Sequence, residues 1–229
     1  MRYRRDLLLK IGFSRRLIAE FVGTWGLVMV VVGSGIMGER LSDDVGVQLL
    51  ANTLATAAGL VVLISLFAPI SGAHFNPLVS AVQAVKCRLS RTHVGPYVVA
   101  QVLGACAGAM TANAMFGLSV VDASSKAREG GPIIAGEVVA TAVLVLIIEG
   151  FIRGGRAQSL PMMVAAWITA AYWCTSSTSF ANPAVSIGRS MTESFAGISP
   201  ESLPMFFVGQ VTGAMAGLVV ADLAFGDQE

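Results

Sequence analysis

The chain has 229 residues, of which 55% are hydrophobic and only 13% charged, with 25 glycines and a net charge of +1. Mean hydropathy is +0.73. Charge at about half the usual soluble share leaves too little polar surface for a water-soluble enzyme. It also excludes a disordered chain, a disulfide-stapled mini-protein and a long coiled coil. A crossing helix needs about 20 apolar residues, so the length suits six spans with residues to spare. The composition predicts an all-α polytopic membrane protein. A net charge this small points to no nucleic-acid partner. Cys87, Cys106 and Cys174 match no metal or disulfide spacing. With only His74 and His93 beside them, neither a metal centre nor a cofactor is expected.

Residues 1–16 form a basic leader carrying Arg2, Arg4, Arg5, Lys10, Arg15 and Arg16. It reads as a cytoplasmic topogenic tail, or as an amphipathic interfacial helix with Leu7, Leu8, Leu9, Ile11 and Phe13 on its apolar side. The run that follows is long enough to span, so a retained first helix is expected rather than a signal peptide. Apolar runs near 17–36, 47–68, 95–117, 132–152, 158–175 and 203–225 predict six spans. Segments near 71–86 and 179–190 are too short to cross. With the N-terminus inside, eleven of the fifteen Lys and Arg fall on inside segments, as the positive-inside rule requires. Both termini are then cytoplasmic, and the C-terminal tail is acidic (Asp222, Asp227, Glu229). Trp167, Tyr172 and Trp173 stand where an outer aromatic belt is expected.

The chain repeats itself. Ala19-Glu20-Phe21-Val22-Gly23-Thr24 is echoed by Gly136-Glu137-Val138-Val139-Ala140-Thr141. Phe75-Asn76-Pro77-Leu78-Val79-Ser80 is echoed by Ala181-Asn182-Pro183-Ala184-Val185-Ser186, and Gln101-Val102-Leu103-Gly104 by Gln210-Val211-Thr212-Gly213. Each unit, about 17–117 and 132–225, holds three spans. An odd number sends the second unit into the membrane from the opposite side, giving inverted halves within one domain spanning 1–229. Asparagine caps a helix and proline suits its first position, so each short segment predicts a half-helix starting at Asn-Pro near the midplane. Irregular backbone at that depth must be buried in protein or line a wet cavity. Two half-helices meeting by their N-termini aim two positive dipole ends at one point.

The motifs Ser71-Gly72-Ala73-His74-Phe75-Asn76-Pro77 and Ala181-Asn182-Pro183-Ala184, with the Glu20 segment, resemble the aquaporin, or major intrinsic protein, superfamily. The likeness covers nearly all of the chain after the leader. It implies six transmembrane helices plus two re-entrant half-helices, the inverted-repeat fold of that family, assembled as a homotetramer in the bilayer. It also implies passive movement of small neutral solutes. Pores of this type are the standing example of a dipole barrier against protons and cations. By resemblance, Asn76, Pro77, Leu78, Asn182, Pro183 and Ala184 form the pore centre. Gly72, Ala73 and His74, then Thr178, Ser179 and Phe180, offer backbone carbonyls. Glu20 and Glu137 brace the re-entrant segments, since a glutamate at that depth must pair with polar groups.

The departures from the family pattern bear on selectivity. Leu78 replaces the alanine of the first Asn-Pro-Ala, and Val185 stands where water channels carry a constriction arginine. The remaining filter positions, counted back from the asparagines, are Thr56, Ala170 and Ser179, none aromatic or charged. Such a filter should be wide and weakly polar. The combination resembles the bacterial AqpS-like aquaglyceroporin branch, which implies a bacterial inner membrane and export of arsenite and methylated arsenicals. Arsenite is an uncharged trihydroxide close to glycerol in size. A general glycerol, urea or water facilitator unrelated to arsenic stays open, as does a proton-coupled transporter using Glu20 and Glu137. Arg189, one turn beyond Val185, reads either as a mouth charge or as a cation at a half-helix C-terminus, neutralising its dipole or snorkelling to the surface. Gly104, Gly108, Gly209, Gly213 and Gly217 allow close helix approach and are expected to pack the two halves together. Cys174 reads as a packing residue or as a lumen thiol.

Overall fold

A computed structural model of the chain describes residues 11–226. The leader residues Arg2, Arg4, Arg5, Leu7, Leu8, Leu9 and Lys10, and the tail residues Asp227 and Glu229, lie outside them. Among the described residues eight α-helices follow in order: α1 (Phe13–Leu41), α2 (Val45–Phe67), α3 (Pro77–Val85), α4 (Arg91–Met115), α5 (Gly131–Arg153), α6 (Leu160–Cys174), α7 (Pro183–Arg189) and α8 (Leu203–Phe225). Five of them, α1, α2, α4, α5 and α8, are long and apolar enough to cross a membrane. The sixth, α6, has 15 residues and continues a 3-10 turn at Ala157–Ser159, which together reach about 28 Å. The expected six spans are therefore present, each within a few residues of its apolar run.

The helix starts follow from local chemistry. Asp44 turns its Oδ1 onto the amides of Gly46 and Val47 at 2.7 and 3.2 Å and so opens α2. Proline stands at the start of α3, α5, α6, α7 and α8, where its missing N–H costs nothing. The chain enters from the leader end along α1, and α3 returns to that end after dipping to mid-depth. In the second half α7 returns in the same way to the far end. The two half-helices hold nine and seven residues, and laid end to end they make roughly one further crossing, about 24 Å.

The glycine-lined contacts lie within each half, not between the halves as the sequence suggested. A Cβ at Gly104 or Gly108 of α4 would stand 2.4 Å from the carbonyl oxygens of Phe21 and Trp25 on α1. A Cβ at Gly213 or Gly217 of α8 would stand 2.4 and 2.2 Å from those of Val138 and Ala142 on α5. In each half, the first and third spans thus pack backbone to backbone. The other face of each first span (Leu27 and Val31, Leu144 and Ile148) joins the second span and the re-entrant segment in walling a central space. The expected aromatic belt is not one: Tyr172 is buried, Trp167 Nε1 donates to Ala140 O at 2.9 Å, and only Trp173 is exposed.

Candidate functional site

The site begins with two buried carboxylates. Glu20 on α1 is fully buried and accepts from the His74 amide (3.0 Å), the Phe75 amide (2.8 Å) and Ser71 Oγ (2.6 Å). Gln101 of α4 donates to both Glu20 (2.8 Å) and Ser80 (2.9 Å). The second half repeats this group by group. Glu137 accepts from the amides of Phe180 (2.8 Å) and Ala181 (2.9 Å), and Gln210 donates to Glu137 (2.6 Å) and Ser186 (3.0 Å). Ser71 Oγ accepts from the Ala73 amide, as Ser177 Oγ does from that of Ser179. The carboxylates lie behind the re-entrant segments and do not line the cavity.

With the amides tied back, the segments twist. Gly72, Ala73, Phe75, Thr178, Ser179 and Ala181 all take positive φ, between 48° and 94°. That left-handed backbone is costly for non-glycine residues, and here two carboxylates anchor it. Among the described residues no protein donor reaches the carbonyls of Gly72, Ala73, His74, Ser179 or Phe180. All five residues line the cavity. Thr178, expected with them, lies instead in a shallow recess beside Lys126 and Arg128.

The asparagines lock the two halves at mid-depth. Asn76 Oδ1 accepts from the Leu78 amide, and Asn182 Oδ1 from those of Ala184 and Val185, so each side chain caps its own half-helix. Each Nδ2 crosses to the other half: Asn76 donates to Ala181 O and Asn182 to Phe75 O, both at 2.7 Å. One N–H of each amide is left for the cavity that both residues line. Pro77, Pro183 and Ala184 lie behind the asparagines. Leu78 faces away too, onto Val82, Val145 and Ala214.

A cavity of about 1130 Å³ runs past the asparagines between the two ends. Toward the far end Thr56, Ser179, Val185 and Arg189 line it. Ala170 does not: it is exposed on the outer face of α6. The cavity-facing stripe of that helix is Leu160, Val164, Ile168 and Tyr172. At about 100° per residue, a position two places from Ile168 and Tyr172 points nearly opposite to them. Tyr172 brings an aromatic ring, its hydroxyl 3.4 Å from Thr56 Oγ1. A cation and an aromatic ring thus line the far end beside Thr56, Ser179 and Val185: Arg189 is only 2% exposed and its guanidinium lies 3.4 Å over the Phe180 ring centroid. That placement rules out a snorkelling surface cation. Cys174 is exposed and outside the cavity lining.

Sequence reasoning missed a third buried carboxylate. Glu149 on α5 is fully buried and takes Arg88 in two bonds of 2.7 and 3.0 Å. Arg153 bonds it at 3.1 Å and also meets Asp222, which pairs with Lys86 at 2.6 Å. No repeat partner flags Glu149, since Val32 stands 117 residues before it. The one available signal is its charge inside an apolar run, near the run's end. Among the described residues no cluster suits a metal ion.

A family model described as Major intrinsic protein matches residues 8–178. The chain is 49% identical over 211 residues to Aquaglyceroporin AqpS of Rhizobium meliloti (strain 1021), covering 92% of this chain and 90% of that protein. It is 32% identical over 222 residues to Aquaporin Z of Brucella melitensis biotype 1, covering 90% and 95% respectively. Among solved structures, the aquaglyceroporin from Plasmodium falciparum has a likeness of fold with TM-score 0.69 at 20% identity, covering 93% of this chain and 95% of that one. The paired asparagine caps, the two carboxylate braces and these relatives agree: the chain belongs to the major intrinsic protein family of aquaporin and aquaglyceroporin channels, and is an integral multi-pass membrane protein.

Proposed function

We propose that the chain is a passive channel for small uncharged hydroxylated solutes of glycerol size, arsenite and its methylated forms among them. Val185 carries this reading. It lines the cavity at the third position after Asn182, where an aliphatic side chain neither narrows the path nor donates a hydrogen bond. The unpartnered carbonyls of Gly72, Ala73, His74, Ser179 and Phe180 suit the replacement of a solute's lost hydration. Glu20 and Glu137 serve as braces, because their oxygens are committed to backbone amides; a proton-carrying role would leave those amides unpaired. The arsenical substrate follows the likeness to the AqpS-like branch. The same reading puts both termini in the cytoplasm, the channel in a bacterial inner membrane, and four copies in the assembly.

Stopped-flow light scattering on proteoliposomes tests this with water, glycerol, urea, arsenite and methylarsenite. Glycerol and both arsenicals are expected to enter without saturation. Entry of water alone would overturn the proposal. Entry of glycerol and urea with exclusion of both arsenicals would leave a general facilitator. Val185→Arg is expected to cut glycerol entry about tenfold, a barrier change of roughly 1.4 kcal/mol, while sparing water. An unchanged solute profile would remove Val185 from the constriction.

A further inference from the structure

Arg189 is the last residue of α7, one turn beyond Val185, and it lines the cavity. Its Nε donates to Ala196 O, and its planar head stacks on Phe180. Among the described residues no carboxylate pairs with it, and neither Nη group has a protein acceptor. The other charged side chains along this cavity, Arg16, Lys86, Arg88, Arg91 and Arg153, all lie toward the leader end, and no Asp or Glu is among the lining residues. A buried, unpaired cation at membrane depth is sustained by facing a water-filled cavity.

We propose that Arg189 is a specificity-determining residue at the outer constriction. It repels cations and offers its two free Nη groups as donors to solute oxygens. Val185 leaves the ring position aliphatic, and Arg189 supplies the charge from one turn further out. The Phe180 face and the Ala196 carbonyl hold the guanidinium flat against the wall, so the path stays wide while the field stays positive. This deepens the channel reading and rests on it for its purpose, though not for its test.

The test places a thiol beside the guanidinium. Val185→Cys is made in a chain whose Cys87, Cys106 and Cys174 are serine, and the protein is reconstituted into liposomes. Its reaction rate is measured with neutral methyl methanethiosulfonate and with the cationic aminoethyl reagent at low salt. The cation-to-neutral rate ratio is compared with that of a chain keeping only Cys174, which is exposed. At Val185→Cys the ratio is expected to be about a hundredfold lower, from two unit charges about 6 Å apart at an effective dielectric near 20. Adding Arg189→Met should bring the ratio back toward the Cys174 value, whereas Arg189→Lys should keep it low. Equal ratios at Val185→Cys and Cys174 would overturn the proposal without any change at Arg189, so a misfolded Arg189→Met cannot shelter it. A ratio unmoved by Arg189→Met would overturn it as well. These rates need no solute flux: absence of glycerol entry would sink the channel reading alone.

Discussion

Leu78 and Glu137 show how single residues divide the labour. Leu78 breaks the alanine pattern at the pore centre, yet its side chain packs on Val82, Val145 and Ala214, away from the cavity. Leu78→Ala should therefore cost about 2 kcal/mol, the low end for a leucine truncation because the site is half-buried. Thermal unfolding in detergent should show the loss, with solute preference in liposomes unchanged; an altered preference would put Leu78 in the lumen. Glu137 uses one oxygen for each of the Phe180 and Ala181 amides. Glu137→Gln turns one of those oxygens into a donor facing a donor, a cost of about 1–3 kcal/mol. It should lower the melting temperature and slow solute entry together. The asparagines, Glu20, Glu137, Gln101 and Gln210 stand out in the sequence because the repeat states each of them twice. The lining place of Tyr172 was not legible, and Arg189 was legible only as one of two readings. Counting back from Asn182 to α6 runs through 175–182, where positive φ values break the helical phase.

At the scale of elements, the helices were readable because apolar runs set their cores, while their ends were not. The first span reaches from Phe13 to Leu41 rather than 17–36, since Arg15, Arg16, Glu39 and Arg40 continue the helix with polar side chains. The half-helices were readable from Asn-Pro alone, because cap and first-turn proline act locally. Which helices the glycines join was not readable, because Gly-x-x-x-Gly marks a close approach without naming the partner. The structure names it: α4 lies on α1 and α8 on α5. Gly213→Ala would bring a methyl to 2.4 Å from Val138 O, and only backbone movement can relieve that contact. The expected cost is about 1–3 kcal/mol. Because α8 also carries Gln210, the shift should loosen Gln210 from Glu137 and Ser186 and reduce flux. A melting temperature and flux equal to wild type would mean that α5 and α8 part without cost.

At the scale of the whole molecule, the leader end carries a charged cluster for which the inverted repeat gives no guide. There the loop after α3, the end of α5 and the end of α8 meet through Arg88, Glu149, Arg153, Asp222 and Lys86. Arg153 also donates to Ala221 O and Gly226 O at 3.0 and 2.9 Å, closing the end of α8. One buried carboxylate thus joins the first half-helix, which belongs to one half, to two long helices of the other. Its two arginines, Arg88 and Arg153, are two of the five basic side chains along the leader-end cavity wall, and Glu149 keeps both paired. Glu149→Gln removes the charge and keeps the shape. Arg88 then loses its carboxylate partner and keeps Gln83 Oε1 at 3.1 Å, and Arg153 retains only Asp222 and backbone carbonyls. Breaking a buried pair in this way costs roughly 3 kcal/mol, and part of Arg88 is open to water, which limits the loss. The melting temperature should fall, and hydrogen exchange should rise first in the 86–90 loop and the last turn of α8. Protection around Asn76 and Asn182 should persist, because Glu20 and Glu137 hold that centre independently. Simultaneous loss of protection at the leader end and at the asparagines would show instead that Glu149 sustains the whole bundle.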